Sequence, residues 1–271
     1  ALYEHEWLHG ISSSFELRGR HISSNRYVPM ILPDGRSLHG INDASIRIGL
    51  RLSKDETIVR MPFEVRHMGS KYPIFSFDFT GAKRGVLPAS YDYLRLEGRM
   101  QYRLNLPPIG YSQLMLEGGK IFGKVPYLLL KLHEGNGTYF YDRYAFSCMN
   151  FYEFSSDAWI SFFYEHHFNG FLLGRVPLLK KLNWREVFVF KGVYGTLSAR
   201  NDGSLPNTKA VMLFPVGMSS VEHPYLETGF GIENIFRLLR VDCIWRLTHH
   251  RAVPGLSIPT FTVNFSLNLK F

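Results

Sequence analysis

Apolar and polar residues alternate with a period of two along several stretches of this chain. In the clearest example, the odd positions from Phe261 to Phe271 are all apolar and the even positions between them are all polar. Because successive side chains of a β-strand point to opposite faces, this period predicts a strand with one apolar and one polar face. Eleven residues of a strand tilted by about 45° also match the hydrocarbon core of a membrane.

The repetition of this pattern decides between two interpretations. A single stretch is equally typical of a half-buried strand in a soluble sandwich. Residues 94–106, 239–248 and 45–52, however, all oppose an apolar face to a polar or charged one. The charged residues that fall on the inferred inner, lumen-facing side are Arg95, Glu97, Arg99, Arg103, Arg240, Asp242 and Arg246. A transmembrane β-barrel explains a continuous charged face opposite a continuous apolar one, so the pattern favours an antiparallel outer-membrane barrel.

The alternation also predicts which side chains face lipid. These are Leu94, Leu96, Leu104, Leu239, Trp245, Phe265 and Leu267. We interpret the last apolar positions of the chain as a C-terminal insertion signal, formed by Phe265, Leu267, Leu269 and Phe271. The barrel interpretation would fail if these leucines were packed between two sheets.

About ten strands are expected over the whole chain. Their predicted spans are 7–20, 43–53, 72–81, 91–106, 110–123, 157–168, 185–198, 224–234, 238–248 and 259–271. Short connections alternate with long ones, as they do between the two ends of outer-membrane barrels. Residues 54–71 are the exception, because they form a long connection on the predicted short-loop side. Within residues 169–183, an apolar and basic stretch at 176–181 predicts one helical turn at the membrane surface.

Composition adds little to this interpretation. Apolar residues make up 45% of the chain, aromatic residues make up 15%, and the net charge is +8. Aromatic girdles at two membrane interfaces would explain the aromatic content. No run approaches 18 consecutive apolar residues, which argues against a transmembrane helix. No basic run is dense enough to indicate binding of nucleic acid.

The sequence offers no catalytic constellation, so we do not expect an enzyme. His166 and His167 are adjacent on a predicted strand, point to opposite faces and cannot share a metal ion. Cys148 and Cys243 are far apart and form no spacing motif. We therefore expect no catalytic residue, no metal site and no cofactor. The chain begins at Ala1 without a methionine or a leader, as expected of a mature product or a fragment.

Several motifs resemble an uncharacterised outer-membrane barrel family of Bacteroidota, whose members carry a carboxypeptidase-regulatory-like domain before the barrel. The motifs are residues 165–171, 176–186, 119–126 and 225–234. The last three strands also resemble the end of BamA-type barrels, the outer-membrane assembly factors. Such barrels end with a strand that contains Gly-x-Gly, a strand that contains an Arg-x-Asp pair and a last strand that ends in Phe. The corresponding residues here are Gly229–Gly231, Arg240–Asp242 and Phe271.

The BamA resemblance implies a sixteen-stranded barrel, of which this whole chain, residues 1–271, would be the C-terminal portion. It also implies that the loop 128–156 enters the lumen and binds acidic strand residues through an Arg-Gly-Phe/Tyr tip. Here the tip carries Tyr144 where the family has glycine. The expected anchors are Tyr141, Asp142 and Arg143, with Glu165 or Glu186 as acidic partners. The loop's many aromatic residues would otherwise form a large exposed apolar patch.

Two functions are consistent with these patterns. The first is an integral outer-membrane barrel that takes part in the assembly or translocation of outer-membrane proteins. The alternative is a channel or a structural barrel for transport or complex scaffolding. Either protein would be a multi-pass barrel in the cell outer membrane. Its expected partners are the lipid bilayer, the N-terminal part of the same protein or a partner outer-membrane protein, and client barrel proteins.

Overall fold

The chain folds into an all-β structure dominated by one large sheet. The computed structural model describes residues 1–7, 10–61, 64–67, 69–86, 88–204, 209–251 and 257–267. Its strands are β1 (Leu2–Glu6), β2 (Ile11–Ser23), β3 (Gly40–Leu52), β4 (Ile58–Met61), β5 (Glu64–His67), β6 (Ile74–Ala82), β7 (Tyr93–Asn105), β8 (Tyr111–Gly123), β9 (Lys131–Leu132), β10 (Phe154–Ser156), β11 (Ala158–His167), β12 (Arg185–Thr196), β13 (Ser219–Ser220), β14 (Tyr225–Ile235), β15 (Leu239–Arg246) and β16 (Phe261–Leu267).

Eleven of these strands form one antiparallel sheet in the order β1-β2-β3-β6-β7-β8-β11-β12-β14-β15-β16. Apart from the small strands, each strand pairs with the strands that precede and follow it in the chain. The sheet, here called the wall, is therefore an up-and-down antiparallel meander. Within the described residues the sheet does not close, and β1 and β16 are its two edges. The small strands form a β4–β5 hairpin and a β13-β10-β9 sheet.

All ten predicted strands are present, and their bounds differ from the predicted spans by a few residues. The prediction missed β1, because Leu2–Glu6 reads LYEHE and has no regular alternation. The prediction also began the next strand at residue 7, whereas β2 begins at Ile11. The long exceptional connection 54–71 contains the β4–β5 hairpin. Leu269 and Phe271, predicted to belong to the last strand, lie outside the described residues.

Helical structure is confined to connections. Two 3-10 turns occur at Tyr127–Leu129 and Leu173–Arg175, and one α-helical turn, α1, occurs at Pro177–Lys180. The predicted helical turn at 176–181 is therefore confirmed. Pro177 begins α1, where its missing N–H costs no hydrogen bond. Among the described helices, none combines the length and the apolar character needed to cross a membrane.

The two faces of the large sheet differ in an unusual way. One face, here called the outer face, exposes large apolar side chains on nearly every strand. Examples are Phe15, Leu17, Ile48, Leu50, Phe77, Phe79, Leu94, Leu104, Phe122, Ile160, Tyr194, Phe230, Trp245, Phe265 and Leu267. A soluble sheet with one solvated face shows the opposite arrangement, with polar residues outward. The leucines predicted to face lipid are thus not packed between two sheets.

The opposite face, here called the inner face, carries the core and the charges. Residues 128–156, here called the inserted loop, lie against it across strands β8 to β16. The loop residues Phe146, Met149 and Phe154 pack on Met115 and Phe163 of the wall. A second apolar cluster joins Val125, Tyr127 and Leu129 to residues of the other long connections, including Met30 and Met212. The fold therefore buries its apolar core between the wall and its own loops.

Candidate functional site

An ionic cluster on the inner face lies where the inserted loop meets the wall. Three wall residues form its base: Glu165 on β11, with Arg240 and Asp242 on β15. The Arg240 guanidinium donates in two-pronged fashion to Asp242, with Nε at 2.7 Å from Oδ2 and Nη2 at 2.8 Å from Oδ1. Its Nη2 also lies 3.3 Å from Glu165 Oε1. All three side chains are almost fully buried, which requires the charges to be paired.

The strands that carry these residues are not neighbours, because β12 and β14 lie between β11 and β15. A glycine on β14 leaves room for this contact. Gly231 on β14 is the register partner of Asp242, and a Cβ atom built on Gly231 would lie 2.2 Å from Asp242 Oδ1. Gly231, the second glycine of the Gly-x-Gly motif, therefore leaves the space above β14 in which the Asp242 carboxylate lies.

The inserted loop completes the cluster with two side chains from its tip. Arg143 Nε donates to Glu165 Oε2 at 2.9 Å, and the Tyr141 hydroxyl donates to Glu165 Oε1. The Tyr141 ring also lies between two cations, with Arg240 at 4.5 Å and Lys191 Nζ at 4.4 Å from its centroid. We call Tyr141, Arg143, Glu165, Arg240 and Asp242 the tip cluster. Its two basic and two acidic residues balance in charge.

The protonation of Tyr141 suits its role as a donor. A tyrosine hydroxyl has an ordinary pKa of about 10, well above neutral pH. The phenol therefore keeps its proton at neutral pH and donates to the carboxylate.

A second set of contacts holds the backbone of the inserted loop. Glu227 on β14 accepts the N–H groups of Ser147 at 2.8 Å and Cys148 at 2.7 Å. Lys191 on β12 donates from Nζ to the carbonyl oxygens of Asp142 at 2.8 Å and Ala145 at 2.7 Å. These two wall residues are fully buried. They supply partners for four backbone groups of this irregular stretch, as the burial of backbone polar groups requires.

Arg246 on β15 makes a third anchor further along the loop. Its Nη2 donates to Glu153 at 2.6 Å, and its Nη1 donates to the Cys148 carbonyl at 3.2 Å. Arg246 was predicted only as a charged residue of the inner face, and the structure shows it bound to the loop.

The remaining predicted anchors are placed differently. Glu186 is not in the tip cluster: β12 turns Val187, Val189 and Lys191 to the inner face, so Glu186 points to the outer one. There it accepts the N–H of Leu173 at the start of the nearby 3-10 turn. The Asp142 carboxylate accepts the N–H of Tyr144 in a local turn, so this residue contacts the wall through its carbonyl oxygen.

The charged residues predicted on β7 lie on the inner face but outside the tip cluster. Arg99 pairs with Glu117 at 2.7 Å, and Arg95 pairs with Glu97 at 2.7 Å. Arg103 lies over the Tyr111 ring at 4.1 Å, and that ring stacks on His167 at 4.5 Å. His167 in turn contacts Glu165 and Glu233. His166 points to the other face and contacts Ser112, so the two histidines are separated as predicted.

Three contacts of the loop or of the tip cluster were not predicted from the sequence: Lys191, Glu227 and His167. Each is a titratable residue at a position of its strand that points to the inner face. Lys191 was the clearest signal, because it follows the apolar run Val187–Phe190. An isolated ammonium group in such a strand requires a partner.

A substitution at Gly231 is expected to disturb the tip cluster without touching its charges. In Gly231→Ala the new Cβ would overlap Asp242 Oδ1, so the Asp242–Arg240 pair must shift, at a cost of about 1–3 kcal/mol in the free energy of unfolding. Gly81→Ala on β6 is the matched control, because a Cβ there meets nothing within 4 Å. Urea unfolding in lipid vesicles measures the free energy of unfolding of both variants. Equal stability of the two variants would contradict this account of the motif.

The fold and site together define a class: an antiparallel wall with an apolar outer face and a charged inner face to which a long loop is anchored. The chain belongs to the family described as the C-terminal domain of a family of unknown function, DUF5686, whose model matches residues 12–199. No curated protein matches the sequence.

Among solved structures, the fold is similar to that of BamA from Haemophilus ducreyi lacking POTRA domains 1–3. The TM-score is 0.52 at 10% sequence identity. The match covers 96% of this chain and 52% of the BamA chain, so this chain spans about half the length of that structure. At this identity the likeness concerns the fold alone. It agrees with the predicted BamA-like barrel architecture.

Proposed function

We propose that the chain forms the C-terminal part of a transmembrane barrel in the bacterial outer membrane and takes part in the assembly or translocation of outer-membrane proteins. The outer face supports the membrane location. A belt of exposed phenylalanine, leucine and isoleucine side chains spans β2 to β16, far more than the scattered apolar residues of a soluble surface. Lipid is the surrounding that removes this area from water.

The observation that carries the assembly proposal is the anchoring of the inserted loop. The tip cluster joins the loop to β11 and β15, and further contacts join it to β12, β14 and β16. The loop is thus tied mainly to the strands nearest one edge of the sheet, while most inner-face side chains of β2, β6 and β7 remain partly exposed. This arrangement supports the proposal, because a client strand would pair at a sheet edge and the anchored loop lies next to the edge formed by β16.

The accessible half of the inner face favours the alternative, a channel or structural barrel. There, ion pairs such as Arg47–Asp78 at 2.9 Å and Arg20–Asp43 at 2.8 Å line the wall. A cavity of about 720 Å³ lies between the loop tip and the β3–β6 connection, and its lining includes Arg103, Arg143 and Tyr102. A polar lumen of this kind suits the passage of small solutes.

Depletion of the full-length protein distinguishes the two functions. The assembly proposal predicts that folded barrel proteins of many kinds decrease in the outer membrane and accumulate unfolded in the periplasm. Normal levels of other barrel proteins together with reduced solute uptake would favour the channel. On the proposed arrangement, the closing strands come from the N-terminal part of the same protein or from a partner barrel. The resemblance to the Bacteroidota family adds a periplasmic carboxypeptidase-regulatory-like domain to that N-terminal part.

The membrane location predicts a depth-dependent response to charge on the outer face. Phe230→Arg, in the middle of β14, should cost about 2–4 kcal/mol of unfolding free energy in vesicles, because the guanidinium would enter hydrocarbon. Phe236→Arg, in the β14–β15 turn, should cost about 0–1 kcal/mol at the interface. A water-exposed face would tolerate both within about 0.5 kcal/mol. That outcome would contradict the membrane proposal.

A further inference from the structure

The free edge of β16 is occupied by a segment of the inserted loop. On one side β16 pairs with β15, and on the other it forms a parallel bridge between Phe265 and Phe140. Phe265 N donates to Tyr139 O at 2.7 Å, and Tyr141 N donates to Phe265 O at 2.7 Å. The side-chain amide of Asn264 adds a bond from Nδ2 to Thr138 O at 3.0 Å. Residues 138–141 therefore continue the sheet beyond its last strand.

The side chains of this segment follow the alternation of the wall. Tyr141 points to the inner face, where it belongs to the tip cluster. Phe140 is 67% exposed and is the bridge partner of Phe265, which belongs to the apolar outer face. The segment thus presents one aromatic residue to each side, as a strand of the barrel would.

We infer that residues 138–141 act as a displaceable edge strand, which seals β16 and excludes any barrel-closing strand from Phe265 while it is paired there. The inference rests on the proposed membrane location, since an open edge in hydrocarbon leaves N–H and C=O groups without partners. At this edge the Phe265 N–H donates one hydrogen bond and the Phe265 C=O accepts one. The loop and a closing strand therefore compete for these two groups.

The small number of bonds argues for displacement. One bridge with two backbone hydrogen bonds and one bond from the Asn264 amide holds the backbone of the segment at this edge, whereas seven register pairs join β16 to β15. An incoming strand with a full ladder would therefore outcompete the loop at this edge. Release of residues 138–141 would break the bond between the Tyr141 hydroxyl and Glu165 but would leave the contacts of Arg143, Lys191 and Glu227 between loop and wall in place.

Disulfide cross-linking in the full-length protein tests the pairing. In a Cys148→Ser, Cys243→Ser background, Phe140→Cys and Phe265→Cys should form a disulfide under mild oxidation, detected by mass spectrometry of the linked peptides. The positive control is Trp245→Cys with Phe261→Cys, which are register partners on β15 and β16. The negative control is Phe140→Cys with Phe230→Cys on β14. A yield matching the positive control supports the edge strand, and a yield matching the negative control overturns it.

Hydrogen exchange tests the displacement. The amides of Tyr141 and Phe265 should exchange more slowly than those of the exposed β2–β3 connection and faster than those of the β14–β15 ladder. Exchange as slow as that of the ladder would show a permanent strand and overturn displacement. Both measurements are independent of assembly activity. If depletion did not affect the assembly of barrel proteins, the cross-link would still be expected to form. If the cross-link did not form, the result of the depletion experiment would still stand.

Discussion

Replacing Glu165 by alanine is expected to lower the free energy of unfolding by about 3–5 kcal/mol, the largest effect of any single change considered. The substitution removes the acceptor of Tyr141 and Arg143 and one partner of Arg240. Arg240 is buried and would keep Asp242 alone, while Arg143 would lose its carboxylate. Urea unfolding in vesicles measures the stability, and the electrophoretic mobility of unheated samples shows whether the wall still folds.

Two variants separate loss of this charge from a general effect. Glu165→Gln retains an acceptor for the Tyr141 hydroxyl and removes only the charge, so it should be less destabilising than alanine. Glu134→Ala removes a carboxylate from the inserted loop whose side chain is 66% exposed, and it should change stability by no more than about 0.5 kcal/mol. If Glu165→Ala were as stable as Glu134→Ala, the tip cluster would not hold the loop.

Replacing Glu227 by glutamine is expected to cost about 2–4 kcal/mol and to loosen the inserted loop at Ser147 and Cys148. The two carboxylate oxygens accept three donors: these two N–H groups and the Tyr225 hydroxyl at 2.6 Å. An amide NH₂ cannot accept, so at least one buried donor would be left unpaired, at about 1–3 kcal/mol or more where a charge is lost. Limited proteolysis of the loop, alongside urea unfolding, measures both consequences.

The matched control for Glu227 is Glu97→Gln on β7. Glu97 also lies on the inner face and pairs with Arg95, but its side chain is 23% exposed and no loop backbone depends on it. This ion pair should contribute no more than about 1 kcal/mol. Equal effects of the two glutamine substitutions would mean that Glu227 acts as an ordinary charged residue of the inner face and not as a loop anchor.

The strands of this protein were predictable from sequence because the face to which a side chain points alternates from one strand residue to the next, whatever the strand pairs with. A residue two positions along therefore lies on the same face. The alternation in 94–106 and 239–248 therefore fixed β7 and β15 and the side on which Arg99, Arg240 and Arg246 lie. Where alternation was absent, in Leu2–Glu6, the strand was missed, because only its pairing with β2 makes it one.

The sequence by itself determined the strands, their two faces and the position of the long loop between β8 and β11. The tertiary structure decided which charges meet. Glu165 and Glu186 were equal candidates along the chain, and they differ because β11 and β12 both turn their odd-numbered residues inward, which places Glu165 on the inner face and Glu186 on the outer one. The contact of Arg240 with Glu165 spans two intervening strands, and the pairing of Phe140 with Phe265 spans 125 residues of chain. Such contacts depend on strand order, register and the space left by Gly231, and none of these is a local property of the residues involved.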